Sequence, residues 1–283
     1  MFQTGSTGGF DEVDVGAPPD QVTTVSDEGT PARRWFLSIP FTPLGLAEAA
    51  ARIAARPPGA PFAFVSTPNA QHTVSCAAGD ARFFTAHDAA WLVLNDSRIL
   101  RLLSRRLFRQ DLPMAAGSDL TVELFREYVS PDDAITIIGG TDEVERRLRI
   151  HPGLRKLVRF NPPMGFYNDP LEIARCVDFI LRHPARYVFL AVGAPQSEIV
   201  ACRVLERGGA IGTALCIGSS LLFVTGVVQR APLMFRRLNA EWLYRLMQNP
   251  RRHARRVFVD SLPVLWIALK ARCTGTHQRA TPT

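Results

Sequence analysis

The sequence predicts an α/β protein, a mainly parallel β-sheet with helices on both faces, followed by a basic helical segment at the C-terminal end. Three observations predict it. Six short apolar runs alternate with helix-like segments, the pattern of right-handed βαβ units. Glycine and small polar residues gather directly after those runs, at the edge where open parallel sheets bind ligands. Charge is sorted along the chain. Residues 1–32 hold six acids (Asp11, Glu12, Asp14, Asp20, Asp27, Glu28) and no Lys or Arg, whereas residues 230–283 hold eleven Lys and Arg against Glu241 and Asp260.

Composition sets the outer limits. A chain of 283 residues fits one large α/β domain or two small ones. Folding at this length buries roughly three quarters of the unfolded surface, so no disulfide or metal staple is required. With 47% hydrophobic and 21% charged residues, the chain as a whole is too apolar to be disordered. The five cysteines (76, 176, 202, 216, 273) are odd in number and form no CxxC, which argues against a disulfide framework or zinc ribbon and for a reducing compartment. The opening MFQTGSTGGFDEVD has neither a basic n-region nor an apolar h-region, so no secretory signal is expected.

The elements follow in order. Residues 1–32 read as a disordered acidic tail, 33–229 as the α/β domain and 230–283 as a basic appendage. Order is expected from Trp35-Phe-Leu-Ser-Ile-Pro40 onward, then a helix over Leu46–Ala55 that Pro57-Pro-Gly59 stops. The strand candidates are Phe62–Ser66, Ala90–Leu94, Ala134–Ile138, Lys156–Phe160, Tyr187–Val192 and Ile211–Ile217. Between them lie helices, including Arg98–Arg109, Asp119–Val129 with Asp119 as N-cap, and Pro170–Arg182 with Asp169 as N-cap and Pro170 at the first helical position. Residues 208–228 are uncharged over 21 positions, long enough to cross a bilayer. Glycine, Ser and Thr dilute the run, and it reads instead as a buried strand followed by a buried helix.

The turns after the strands are Thr67-Pro-Asn69, Asn95-Asp-Ser97, Gly139-Gly-Thr141, Asn161-Pro-Pro-Met-Gly165, Gly193-Ala-Pro-Gln-Ser-Glu198 and Gly218-Ser-Ser220. Backbone N–H groups at such turns and at helix N-termini favour phosphate, so a nucleotide or phosphate ligand is expected. The chain lacks GxxxxGK[ST], GxGxxG after a strand, GxSxG and HExxH. It also lacks Asp-x-Asp, and its six histidines show no ligand spacing. No metal and no cofactor are therefore expected.

In the basic end segment, Asn249-Pro250 reads as a helix start. Arg251, Arg252, Arg255 and Arg256 form two i, i+4 rows. An apolar stretch from Val257 to Leu269 carries Trp266 and ends in Lys270 and Arg272. This fits a helix lying on an anionic membrane surface, and it is too short to span. Packing onto the domain or onto a partner subunit is the alternative, and the sequence leaves homo-oligomerisation open. The aromatics do not interleave with the basic residues, which argues against a nucleic-acid partner.

Three segments carry a resemblance: Gly193-Ala-Pro-Gln-Ser-Glu198, Gly226-Val-Val-Gln-Arg-Ala-Pro232, and Arg236-Arg-Leu-Asn-Ala-Glu-Trp-Leu-Tyr-Arg-Leu-Met-Gln-Asn-Pro-Arg-Arg252. Together with Thr67-x-Asn69, the Asp96 turn, Ala116-Gly-Ser-Asp-Leu120 and Ile138-Gly-Gly140, they make residues 35–256 resemble the WecG/TagA/CpsF family of bacterial glycosyltransferases, closest to its exopolysaccharide-assembly members. The resemblance implies a Rossmann-like domain with a membrane-docking appendage. It implies inverting, metal-independent transfer from a UDP-sugar to a polyprenyl-diphosphate-linked saccharide at the cytoplasmic membrane face. UDP-glucose is the first expectation for the donor; UDP-N-acetylmannosamine or its uronic acid is the alternative, as is a non-catalytic scaffold.

Residue by residue, the resemblance makes Asp96 the catalytic base, against a turn or N-cap aspartate. Thr67 and Asn69 would contact sugar or base, against helix capping. The N–H groups near Gly139, Gly140, Gly193 and Gly218, with Arg230 and Arg237, would meet the diphosphate charge. Glu198 would hold a ribose or sugar hydroxyl, against a simple first-turn acid favoured by the helix dipole. Three positions depart from the family's pattern. Ser197 stands at its functional glutamine, with Gln196 the neighbouring substitute; Met114 stands at its arginine and Leu222 at its aspartate.

Overall fold

The computed structural model describes residues 31–228 and 262–274. The acidic tail falls almost wholly outside them, as do the 229/230 boundary and Arg230, Arg237, Arg251, Arg252, Arg255 and Arg256. Strands β1 (Arg34–Phe36) and β2 (Ile39–Phe41) pair antiparallel. The two residues that join them, Leu37 and Ser38, both have positive φ (48° and 68°). That is the turn geometry whose twist matches a hairpin, here made without the usual Asn-Gly. Burial of Phe36, Leu37, Ile39 and Phe41 holds it in place.

Six strands form one sheet: β3 (Ala63–Ser66), β4 (Leu92–Val93), β5 (Ala134–Gly139), β6 (Lys156–Phe160), β7 (Tyr187–Ala191) and β8 (Thr213–Cys216). The order is β4-β3-β8-β7-β5-β6 and every pairing is parallel. This is the predicted α/β, Rossmann-like class. The inner strands are almost continuously apolar because both faces are covered, with Ser66, Thr136 and Thr213 their buried polar exceptions. Along β7, Tyr187 and Phe189 point into one core while Val188 and Leu190 point into the other.

Helices α1 (Leu46–Ala55), α5 (Gly117–Glu127), α6 (Asp142–Ile150) and α9 (Leu221–Val224) cover the Phe189 face through Ile53, Leu124, Leu148 and Leu221. Helices α2 (Ala70–Ala77), α3 (Ala81–Ala89), α7 (Pro170–Arg182) and α8 (Gln196–Arg207) cover the Leu190 face through Cys76, Phe83, Ile180 and Val204. The same face takes α4 (Arg98–Phe108), through Leu100, and α10 (Pro263–Thr274), through Val264 and Ala268. Helix α7 starts as its local signals require, with the Asp169 side chain accepting from Leu171 N and Pro170 in the first turn.

One cap needs correction. Asp119 is not the N-cap of α5; the helix starts at Gly117, with Ala116 as N-cap and Asp119 in its first turn. Gly117 in that first turn packs closely on Thr67: a Cβ there would lie 2.9 Å from Thr67 Oγ1. The 208–228 stretch holds the buried strand β8, as expected, but the helix after it, α9, is short and buries only Leu221, and Val227 and Val228 are exposed. Among the described residues no helix is long and apolar enough to cross a membrane.

Candidate active site

Because all six strands are parallel, their outgoing turns share one edge. Contacts join five of those turns into a row. After β4, Asp96 N–H donates to Pro68 O (3.0 Å), tying that turn to the one after β3. Thr67 Oγ1 donates to Cys216 O at the end of β8 (3.0 Å). A Cβ on Gly218, just beyond β8, would sit 4.0 Å from Gly193 Cα beyond β7. A Cβ on Gly139, at the end of β5, would meet Val192 Cγ1 at 2.7 Å and Ala191 O at 2.9 Å. With φ of +91° as well, position 139 admits only glycine. The chain also diverges here: the turns after β3 and β7 lead to helices on one face, and those after β8 and β5 to helices on the other. Such divergence opens the crevice in which α/β sheets bind ligands.

The Asp96 turn is rigidly built. Asn95 is buried; its Oδ1 accepts from Ser97 N (2.9 Å), its Nδ2 donates to Leu112 O (3.4 Å), and its carbonyl accepts from Ala115 N (3.1 Å). Ser97, not Asp96, caps α4, accepting from Leu100 N at 3.3 Å. The half-buried Asp96 carboxylate is therefore not the helix cap.

The other expected residues divide. Asn69 does cap α2, with Oδ1 accepting from Gln71 N (2.9 Å). Thr67 is buried and spends its proton on Cys216 O, so its oxygen is left as an acceptor only. Glu198 is 2% exposed and turns inward, with Oε1 3.7 Å from His72 Nε2. Ser197 is also buried, and its hydroxyl donates to Leu190 O at 3.0 Å. It tethers α8 to β7 rather than facing the edge. Gln196 does face it: its Oε1 lies 3.9 Å from where a Cβ on Gly193 would be. Leu222 packs against the Phe189-side core. Helices α5 and α8 begin with Ala116 and Pro195 and have no side-chain cap, whereas Asn69, Ser97 and Thr141 cap α2, α4 and α6. Among the described residues no three His, Cys, Asp or Glu are placed to hold a metal.

Sequence reasoning missed the histidines behind the edge. His72 Nδ1 lies 3.3 Å from Asn69 N and 3.0 Å from Asn69 Oδ1, and its Nε2 faces Glu198 Oε1 at 3.7 Å. This bridges the turns after β3 and β7. Its one local signal was the N-cap/N3 spacing of Asn69 and His72, although the usual third residue of such a box is Glu or Gln. His87 is buried beside it, with Nδ1 3.3 Å from Ser66 Oγ. Burial first, then the charges of His72 and Arg33, hold the His87 pKa well below the usual 6.5. The unfolded chain therefore binds a proton that the fold excludes. Stability is whole above about pH 6.5 and falls as pH drops below it, by up to ~1.4 kcal/mol per pH unit. Melting temperatures between about pH 7.5 and about pH 5.5 should show this decline, and His87→Gln should flatten it. A decline of unchanged slope in that variant would assign it elsewhere.

Fold and edge together define an α/β protein whose parallel strands end at the kind of edge where open α/β sheets bind ligands. The chain matches the Glycosyl transferase WecG/TagA/CpsF family over residues 34–278, and it belongs to that family. It is a glycosyltransferase of polysaccharide or cell-wall assembly, a class that takes a nucleotide-sugar donor and a lipid-linked acceptor.

Proposed function

We propose that the protein moves a sugar, with inversion and without a metal, from a UDP-sugar to a polyprenyl-diphosphate-linked saccharide during exopolysaccharide assembly. UDP-glucose is the donor of first choice. The work is done at the inner face of the cytoplasmic membrane, which the basic segment with Arg251, Arg252, Arg255, Arg256 and Trp266 meets.

The observation that carries this reading is Asp96: a half-buried carboxylate at the strand edge, held by a braced turn and not spent on capping. In the reaction it takes the proton of the acceptor hydroxyl as that oxygen attacks the anomeric carbon. The bond from that carbon to the UDP oxygen breaks, and the electron pair leaves with UDP. Charge on the leaving diphosphate is met by N–H groups of the Gly139-Gly140, Gly193 and Gly218 turns, by the uncapped starts of α5 and α8, and by Arg230 and Arg237. Gln196 beside Gly193 is the polar side chain best sited for the donor sugar or phosphate. Thr67 and Asn69 act mainly by shaping the edge. Glu198 supports it from behind through His72.

The test is UDP release from a panel containing UDP-glucose, UDP-N-acetylmannosamine and its uronic acid, with and without extracted lipid-linked acceptor. Acceptor-dependent release from UDP-glucose is the expected result. Release from another member of the panel reassigns the donor. No release from any, with an acceptor shown to be competent, would favour a non-catalytic scaffold.

A further inference from the structure

Among the described residues, two neighbouring helices carry five exposed large apolar side chains, Ile99, Leu102, Leu265, Trp266 and Leu269. Helix α10 buries Val264, Ala268 and Ala271 on one side. Its opposite side shows Leu265, Leu269 and Trp266, the last 72% exposed, with Lys270 and Arg272 on the flanks. A helix apolar on two sides expects a second cover. On α4, Leu100 and Ser104 are buried while Leu102 (57% exposed) and Ile99 face out. Spacing of three and four residues sets Arg98, Arg105 and Arg106 around Leu102. No acid lies within α4; Asp111 faces it, 3.8 Å from Arg101 and 3.9 Å from Arg105. The two helices touch and bury their inner residues in the same core, so their outer faces adjoin.

We propose that α4 and α10 together form one docking surface for an anionic lipid bilayer, so that the membrane meets the protein directly beside Asp96. The inference rests on the membrane reading above and adds to it a helix from the middle of the chain. Chemistry selects the occupant. Isolated leucines amid arginines, with a tryptophan at the side, match a headgroup boundary, where apolar tips enter the acyl region and cations stay with the phosphates. A second copy packed symmetrically would set these arginines against themselves. Helix α4 starts two residues after Asp96. A bilayer on its outer face therefore brings a lipid-linked hydroxyl to the carboxylate without lifting the lipid out of the membrane.

The test is co-sedimentation of the full-length protein with phosphatidylglycerol–phosphatidylcholine vesicles and with phosphatidylcholine vesicles alone. Wild type should bind the anionic vesicles selectively. Ile99→Glu/Leu102→Glu should weaken that binding at least about tenfold with an unchanged melting temperature. Should that pair fail to fold, Arg105→Glu/Arg106→Glu, at exposed positions, should weaken it by a similar factor. Wild-type-like binding by a folded α4 variant would overturn the role of α4 and leave the membrane reading standing. No vesicle binding by wild type would overturn both. A dimer that either α4 variant splits would assign the surface to a second copy and overturn the proposal.

Discussion

Asp96→Asn should lower turnover by about 10²-fold or more and leave the melting temperature nearly unchanged. Both halves follow from the local structure. Asparagine keeps the size and hydrogen-bonding reach of aspartate but has no basic oxygen pair to receive the acceptor proton. The fold is spared because other groups hold the turn: Asn95 braces it, the Asp96 backbone N–H reaches Pro68 O, and Ser97 caps α4. Ser97→Ala is the matching control. It should cost about 1 kcal/mol of stability by loss of the cap and leave turnover nearly intact. Single-turnover transfer and thermal melting of the two variants separate the roles. Near-full transfer by Asp96→Asn would remove Asp96 from the chemistry.

Gly212→Ala should cost of the order of 4 kcal/mol, from positive-φ strain plus overpacking, and so deplete the folded protein. Gly212 sits at the entry to β8 with φ of +88°. A Cβ there would lie 1.9 Å from Ala185 O and 2.9 Å from Arg186 O. Those are backbone atoms at the start of β7, and neither can swing away. Its own N–H donates to Ala60 O (2.8 Å) and its carbonyl accepts from Ala63 N (3.1 Å), so shifting Gly212 would break the β3–β8 entry as well. Gly193→Ala makes the contrast. Its φ is +84°, but the nearest atom to a new Cβ is Gln196 Oε1, at 3.9 Å. Only the conformational cost of about 1–2 kcal/mol applies, and the effect should fall on donor binding more than on folding. Urea unfolding of both variants decides this; equal losses would contradict the steric argument.

Much of the architecture was legible because its signals are local. Strand β6 and helix α7 match their expected bounds, since apolar periodicity and the Asp169-Pro170 start act within four residues. The glycine-rich turns were readable for the same reason. The β1–β2 hairpin was not, because Leu37 and Ser38 carry no turn signal and adopt positive φ under the pull of the core. The N-cap of α5 lies three residues before the expected Asp119, at Ala116, and the Gly117 that follows packs on Thr67, far away in sequence.

The candidate site divides in the same way. By itself the sequence determined the α/β class, the turns that form the edge, Asp96 as the carboxylate among them, and the family. Only the tertiary structure decided which residue caps. It made Ser97 the cap of α4, turned Ser197 and Glu198 inward while Gln196 stayed at Gly193, and paired His72 with Glu198 across more than a hundred residues. The physical reason is range. Caps and periodicity are settled between neighbours in sequence, whereas which side chain faces the crevice depends on strand order. That order is set by burying both faces of the sheet at once, through contacts that no local stretch of sequence contains.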